Sequence, residues 1–535
     1  MDTIFIITIF TFITILTKYI LSNVHSTKTL PPGPSYITSI FLLLTTPLLQ
    51  FEPVLKTLKS RYGPLFTLST FLGPAVFISD HSLAHIVLVQ KGALFSDRPK
   101  SFPMRNISSA SYGPIWRLFR RNLAEFIHPS RIKSYSLART SVLQVFFNRL
   151  QNQNQNQNQN QDQDQDQGHD VHGIKVIDDI RHAMFCLLVL MCFGEEFDEN
   201  RIDEIARVQK DMLVKVSSGR YAVLNMFPKL GRILFRKRCK EFEKLCSDKE
   251  DVLIPIIKSR IASGKLGDAY VTYVDTLVSL QVPKEEDDDD NKNGEKLSYK
   301  DMVSMCSEFF NSGTDTTSTA LQWIMANLVK FPKIQRKLFD EIVGVVGLPP
   351  PPPLPGVAVE LESVINEEDI KKMPYLKAVV LEGLRRHPPV HFALPHKVTK
   401  EVELEGYVIP RGATINFMMS EMGLDPKVWD EPMEFRPERF LVNNDGDCVF
   451  DVTGGKGIKM MPFGAGRRMC PGYDLAMFHL EYFVVNSIWY FDWSVPDGYQ
   501  VDLAEEVELT VVMKNPLRAR IYSRTENLTT TDRTT

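Results

Sequence analysis

Only seven of the 535 residues are cysteine, an odd number with no C-x-x-C pair among them. That excludes the disulfide framework of a small secreted domain and the usual zinc knuckles. Histidine offers no alternative metal cage, because His387, His391 and His396 straddle Pro388-Pro389, which breaks any helical ligand spacing. No G-x-G-x-x-G follows a strand pattern, so the chain is not expected to bind a dinucleotide itself. Charge of one sign is also lacking. With 62 Lys+Arg against 65 Asp+Glu, the basic excess of a dedicated nucleic-acid binder is absent. What is present is apolar: 44% of residues are hydrophobic and 24% charged, which excludes overall disorder and allows a large core. The length permits about three ordinary domains or one large one.

From Ile4 to Val24 the chain is apolar or Thr-rich, with Lys18 its only charge. As a helix this run would measure about 31 Å, close to a bilayer core. Asp2 precedes it and nothing resembles A-x-A, so the pattern predicts an uncleaved single-pass anchor over residues 1–30 rather than a signal peptide. Lys18 and Lys28 put the positive flank on the C-terminal side and predict a cytoplasmic body. Pro31-Pro32-Gly33-Pro34 then reads as a stiff hinge. The sequons at Asn106 and Asn527 are chance matches if the body is cytoplasmic.

Three stretches read as loop insertions, 151–170, 283–297 and 347–358, within one large body spanning 31–525, followed by a polar tail, 526–535. Gln151 to Gln167 contains no apolar residue and is expected to be a disordered loop. The acidic run Glu285 to Asp290 repels itself into an extended form, and Pro349 to Pro353 with Pro355 stiffens the third insertion. Elsewhere the pattern is mainly helical. Ser298 with Asp301 reads as a capping box opening a helix of roughly 33 residues that ends before Pro332. Its middle, Asn311 to Ser318, is a poor helix sequence of Gly, Asp and Thr, which points to function. A second helix runs from Pro374 to Arg386 and stops at Pro388-Pro389, and Val402 to Ile409 forms a hairpin through Glu405-Gly406.

The most informative segment is Pro462-Phe463-Gly464-Ala465-Gly466-Arg467-Arg468-Met469-Cys470-Pro471-Gly472. Glycines permit a tight turn, and the loop leads through Asp474 into an apolar helix from Leu475 to Tyr490. A cysteine at such a helix start, beside Arg468 and amide donors, is expected to have a depressed pKa and to bind metal as thiolate. This segment resembles the ligand loop F-x-x-G-x-R-x-C-x-G of the cytochrome P450 superfamily, with Phe463, Gly466, Arg468, Cys470 and Gly472 filling the five fixed positions. The resemblance extends from Pro31 to about Arg520 and is nearest to plant microsomal members of the 89A subfamily.

It implies a mainly α fold with a small β region, haem b (iron protoporphyrin IX) held through Cys470, and attachment to the endoplasmic reticulum membrane. Glu382-Gly383-Leu384-Arg385 matches E-x-x-R, which implies with Arg439 a buried structural network. Trp116 and Arg120 match W-x-x-x-R, and with His396 and Arg468 would meet the haem propionates. Ser312-Gly313-Thr314-Asp315-Thr316 is similar to [AG]-G-x-[DE]-T and implies Asp315 and Thr316 as the acid–alcohol pair of oxygen activation, the hydroxyl breaking the helix ladder; Ser312 departs from the pattern. The substrate pocket implied is the loop Ser101 to Ser111, Phe309, Phe310, Ser312, Val390, His391 and Phe392 to Leu394, with Thr510 and Val511, and His391 as a polar anchor.

The activity implied is insertion of one oxygen atom from O2 into a lipophilic plant metabolite. NADPH serves it indirectly, through NADPH–cytochrome P450 reductase, with cytochrome b5 as a further donor. Arg117, Arg121, Lys456, Lys459 and Arg467 would form the basic docking face. Two other functions stay open: a haem-thiolate isomerase or dehydratase without O2 activation, and a membrane-tethered scaffold docking through its polyproline loop.

Overall fold

The computed structural model describes residues 30–47, 50–99, 105–161, 173–217, 219–221, 224, 233–264, 271–283, 295–350, 364–441 and 450–524. The expected anchor, the acidic run and most of the proline run lie outside them. Among the described residues, eleven helices of ten residues or more make up most of the fold: α1 Tyr36–Thr45, α2 Glu52–Tyr62, α3 Pro114–Phe126, α4 Ser136–Gln161, α5 Val176–Phe193, α6 Glu199–Ser217, α7 Arg236–Ala262, α8 Tyr299–Lys330, α9 Pro332–Val346, α10 Pro374–Arg386 and α11 Tyr473–Tyr490. None of these is long and apolar enough to cross a membrane.

The central element is α8. Both halves of its capping box form: the Ser298 hydroxyl accepts from the Asp301 amide and the Asp301 carboxylate accepts from the Ser298 amide. The helix ends at Phe331, just before Pro332, which cannot continue it. It is buried almost continuously from Thr317 to Val329 and packs along α5, which is itself apolar nearly all round. Gly313 permits the approach, since a Cβ there would stand 2.7 Å from Leu188 Cδ1 of α5. The single glycine in the Thr-rich middle of α8 is thus partly a packing solution.

The β structure is small. One sheet has the order Leu65–Thr70, Gly73–Ile78, Thr414–Phe417, His396–Lys397, in which Gly73–Ile78 runs parallel to Thr414–Phe417 and the other pairs are antiparallel. The predicted hairpin Val402–Leu404 with Tyr407–Ile409 is present, its turn held by left-handed Glu405 and Gly406. A second hairpin, Glu505–Val507 with Val511–Met513, lies against α8.

One expectation is corrected here. The Gln/Asn tract is not a loop at its start, because α4 continues through it to Gln161. Leu143, Phe146, Phe147 and Leu150 anchor the preceding turns in the core, and glutamine is a fair helix former once a nucleus exists. The tract also finds partners, as Gln153 donates to Asp179 and Asn154 Nδ2 donates to the Ile521 carbonyl at 3.2 Å. The Pro31–Pro34 hinge is docked on the sheet, since the Pro32 carbonyl accepts from the Thr67 amide at 2.9 Å.

Candidate functional site

One cavity of about 540 Å³ lies beneath the middle of α8. Its walls are α8, α3, the start of α11, the loop bearing Cys470, the segment following α10 and the turn of the second hairpin. Of the residues expected there, Trp116, Arg120, Phe309, Ser312, Asp315, Thr316, Val390, Phe392, His396, Phe463, Arg468, Cys470, Gly472 and Thr510 line it together.

Cys470 lines this cavity, its amide donating to the Phe463 carbonyl at 2.8 Å. Gly466, at φ 70°, lets this loop lie against the chain near Leu88, where a Cβ would stand 2.0 Å from the Leu88 carbonyl oxygen. The expected depression of the thiol pKa is not found. Burial raises it, and the Gly472 amide with the Arg120 guanidinium offsets that only in part. Gly472 caps α11, but the apolar surroundings outweigh its amide and the neighbouring cation.

A cluster of cations lines the same cavity. Arg468 donates to the carbonyls of Ser96, Ile107 and Ala110 and stacks 4.5 Å over Trp116. Arg120 donates to the Met469 carbonyl. Arg98, which the sequence reading missed, donates to Ser108, Leu394 and Pro395 carbonyls. None of the three has an ion-pair partner among the described residues, and burial brings Arg468 down to about 9 and Arg98 to about 10. The Trp116 indole N–H is buried without an acceptor. Clustered guanidiniums and an orphaned donor in an apolar cavity require an anion, and a dianionic cofactor such as haem meets that requirement opposite a thiol ligand. His396 is the exception in detail. Its Nδ1–H donates to the Phe95 carbonyl at 2.7 Å, and burial with Arg98 and Arg468 lowers its pKa to about 3. It faces the cavity as an acceptor unless an anion offsets those cations.

Asp315 pairs with Arg181 at 3.3 Å, yet burial outweighs Arg181 and Lys210 and raises its carboxyl. The Thr316 hydroxyl donates to the Ser312 carbonyl at 2.5 Å. The expected break in the ladder is absent: α8 is helical throughout, and Thr314, Thr316 and Ser318 each bond back to the carbonyl four residues earlier.

Three expected pocket residues lie elsewhere. Phe310 is fully buried in the core against Phe185 and Phe193. His391 points away, with Nδ1 2.7 Å from Glu52 and Nε2 3.4 Å from Glu505. Val511 is buried in the hairpin, its carbonyl accepting from Trp323 Nε1 at 2.8 Å. Of the loop Ser101 to Ser111, Ile107 and Ser108 line the cavity, while residues 101–104 lie outside the described set. Glu308 and His479 also line it unforeseen; Glu308 was detectable as an acid two turns before Asp315 on one helix face.

Outside the cavity, Glu382 is fully buried and holds Arg385 through two contacts, 2.7 and 2.8 Å, and Arg439 through one at 3.1 Å. Arg385 also donates to the carbonyls of Gly423, Pro432 and Glu434.

This fold and cavity define a haem-thiolate enzyme. The family model for cytochrome P450 matches residues 31–521, and the chain belongs to that family. It is 44% identical over 512 residues to cytochrome P450 89A9 of Arabidopsis thaliana, covering 93% of this chain and 94% of that protein. It is 26% identical to phenylacetaldehyde oxime monooxygenase CYP71AN24 of Prunus mume, over 91% of this chain and 88% of that protein. A zebra fish cytochrome P450 structure with abiraterone superimposes with a TM-score of 0.66 at 21% identity, covering 88% of this chain and 99% of that one. The protein is a monooxygenase with a haem cofactor.

Proposed function

We propose that this monooxygenase inserts one atom of O2 into a small lipophilic plant metabolite, drawing electrons from NADPH through a separate flavoprotein reductase. In this reading residues 1–30 anchor it in the endoplasmic reticulum membrane and residues 31–525 form the catalytic body in the cytoplasm. The observation that carries the proposal is the convergence of Cys470 and the uncompensated cations Arg98, Arg120 and Arg468 on one apolar cavity.

Cys470 would hold the iron, and Arg98, Arg120, Arg468 and the Trp116 N–H would receive the cofactor's acid groups. Haem ligated by thiolate supplies O–O bond cleavage. Phe463, Gly466 and Gly472 shape the ligand loop, and Glu382, Arg385 and Arg439 brace the segment that precedes it. Asp315, whose carboxyl is raised by burial, is suited to pass a proton inward, and the Thr316 hydroxyl beside it on the cavity wall can relay that proton. Phe309, Val390, Phe392 and the Thr510 methyl give the substrate space its apolar character, with Ser312 a local hydroxyl.

The reduced protein under carbon monoxide is expected to show the red-shifted Soret band of thiolate ligation, and Cys470→Ala is expected to lose it. A wild-type protein without that band would overturn the assignment.

A further inference from the structure

Two carboxylates line the cavity, and the proton relay uses only Asp315. The other, Glu308, is spent on backbone. Its two oxygens accept from the amides of Ile107 and Ser108, both at 2.7 Å, and from the Ser108 hydroxyl. The same two residues are held from the opposite side through their carbonyls, Ile107 by Arg468 Nη1 at 3.1 Å and Ser108 by Arg98 Nε at 3.1 Å. A turn this short would ordinarily satisfy its amides with Asn, Ser or water. Here a half-buried carboxyl is committed wholly to these donors, which fixes the position of the segment. Ile107 and Ser108 themselves form cavity wall.

We propose that Glu308 is a specificity-determining positioning residue: it strings the Ile107–Ser108 wall between α8 and the guanidiniums Arg98 and Arg468, and so sets how large a lipophilic ligand the cavity admits. The inference rests on the haem-thiolate reading above in one respect, that Arg98 and Arg468 carry the cofactor's acid groups. Wall and cofactor are then seated by the same two side chains.

Two measurements on the full chain separate the inference from that reading. Amide hydrogen exchange needs no cofactor: in Glu308→Ala the Ile107 and Ser108 amides should exchange about tenfold faster or more, while α11 amides keep their rates. Optical titration of the haem-loaded protein with imidazole, which is small, and with clotrimazole, which is bulky, should show the ratio of the two affinities changed about tenfold in Glu308→Ala. Glu308→Gln keeps one acceptor oxygen and should fall between wild type and Ala in both readouts. Unchanged exchange, or an unchanged affinity ratio, overturns the proposal. If Glu308→Ala does not fold, Glu308→Gln and Ser108→Ala decide by the same criteria. A wild-type protein lacking the thiolate spectrum sinks the haem reading, and exchange alone then decides whether the clamp exists.

Discussion

Glu382, itself out of solvent contact, accepts from two arginines, and the Arg436 amide adds a further donor at 2.8 Å. Removing the carboxylate strands two guanidiniums, so Glu382→Ala is expected to lose about 3–5 kcal/mol in urea unfolding. A loss below about 1 kcal/mol, the scale of an exposed pair, would contradict the bracing role. This pair was legible because it is local, three residues apart on one helix face. Cys470 was legible for the same reason, lying among glycines and arginines at fixed spacing. Its pKa was not, because a thiol's ionisation depends on everything around it, and the apolar walls come from segments far away in the chain.

Among the elements, the histidines after α10 show how a correct residue can be given a wrong task. His391 was read as a substrate anchor. Its partners, Glu52 on α2 and Glu505 at the second hairpin, are distant in sequence, so no motif could reveal that the three close into a network with His387, which stacks 4.0 Å from Trp323 of α8. The network ties α2 and the hairpin to α8 and carries a pH signature. Burial alone would raise the Glu52 carboxyl, but His391 and then Lys56 outweigh it and bring it from 4.5 down to about 2. A carboxylate whose folded pKa is lowered stabilises above its unfolded value and loses that contribution as pH falls. Wild type should therefore be more stable than Glu52→Gln above about pH 4.5, with the gap closing towards pH 2. His387, held neutral by burial at about 4 against 6.5 unfolded, weakens the fold in an earlier window, between pH 6.5 and about 4. Thermal unfolding against pH checks both; a gap for Glu52→Gln that persists undiminished at pH 2 would refute the first.

At the scale of the whole molecule, near-neutral charge conceals a local asymmetry. Arg117, Arg121, Lys456, Lys459 and Arg467 are all exposed, and none has a carboxylate partner among the described residues. Arg117 and Arg467 share Tyr112, the first stacking on its ring and the second donating to its hydroxyl. Reversing Arg117 and Arg121 to Glu is expected to slow reduction by the flavoprotein about tenfold at low salt, with the difference shrinking as salt rises. Stopped-flow reduction at two ionic strengths measures it, and identical rates would exclude this docking face. The mainly helical pattern and the Val402–Ile409 hairpin were readable from the residues, because long amphipathic stretches declare themselves, while the rest of the small β region came only with the family resemblance. The course of the Gln/Asn tract was not, since composition alone carries no record of the hydrophobic nucleus from which a polar helix can continue.

The parallel pairing of Gly73–Ile78 with Thr414–Phe417 sets an order of events during synthesis. Ala75 lies beside Thr414, so on a ribosome adding about 5–20 residues per second that strand waits tens of seconds for its neighbour. Through that interval the edge of Gly73–Ile78 that later pairs with Thr414–Phe417 stays open to other nascent chains, although α2 and the segment Leu83–Phe95 can already cover the hairpin's faces. Productive folding therefore requires that this edge be kept from other chains until a strand about 340 residues later is made.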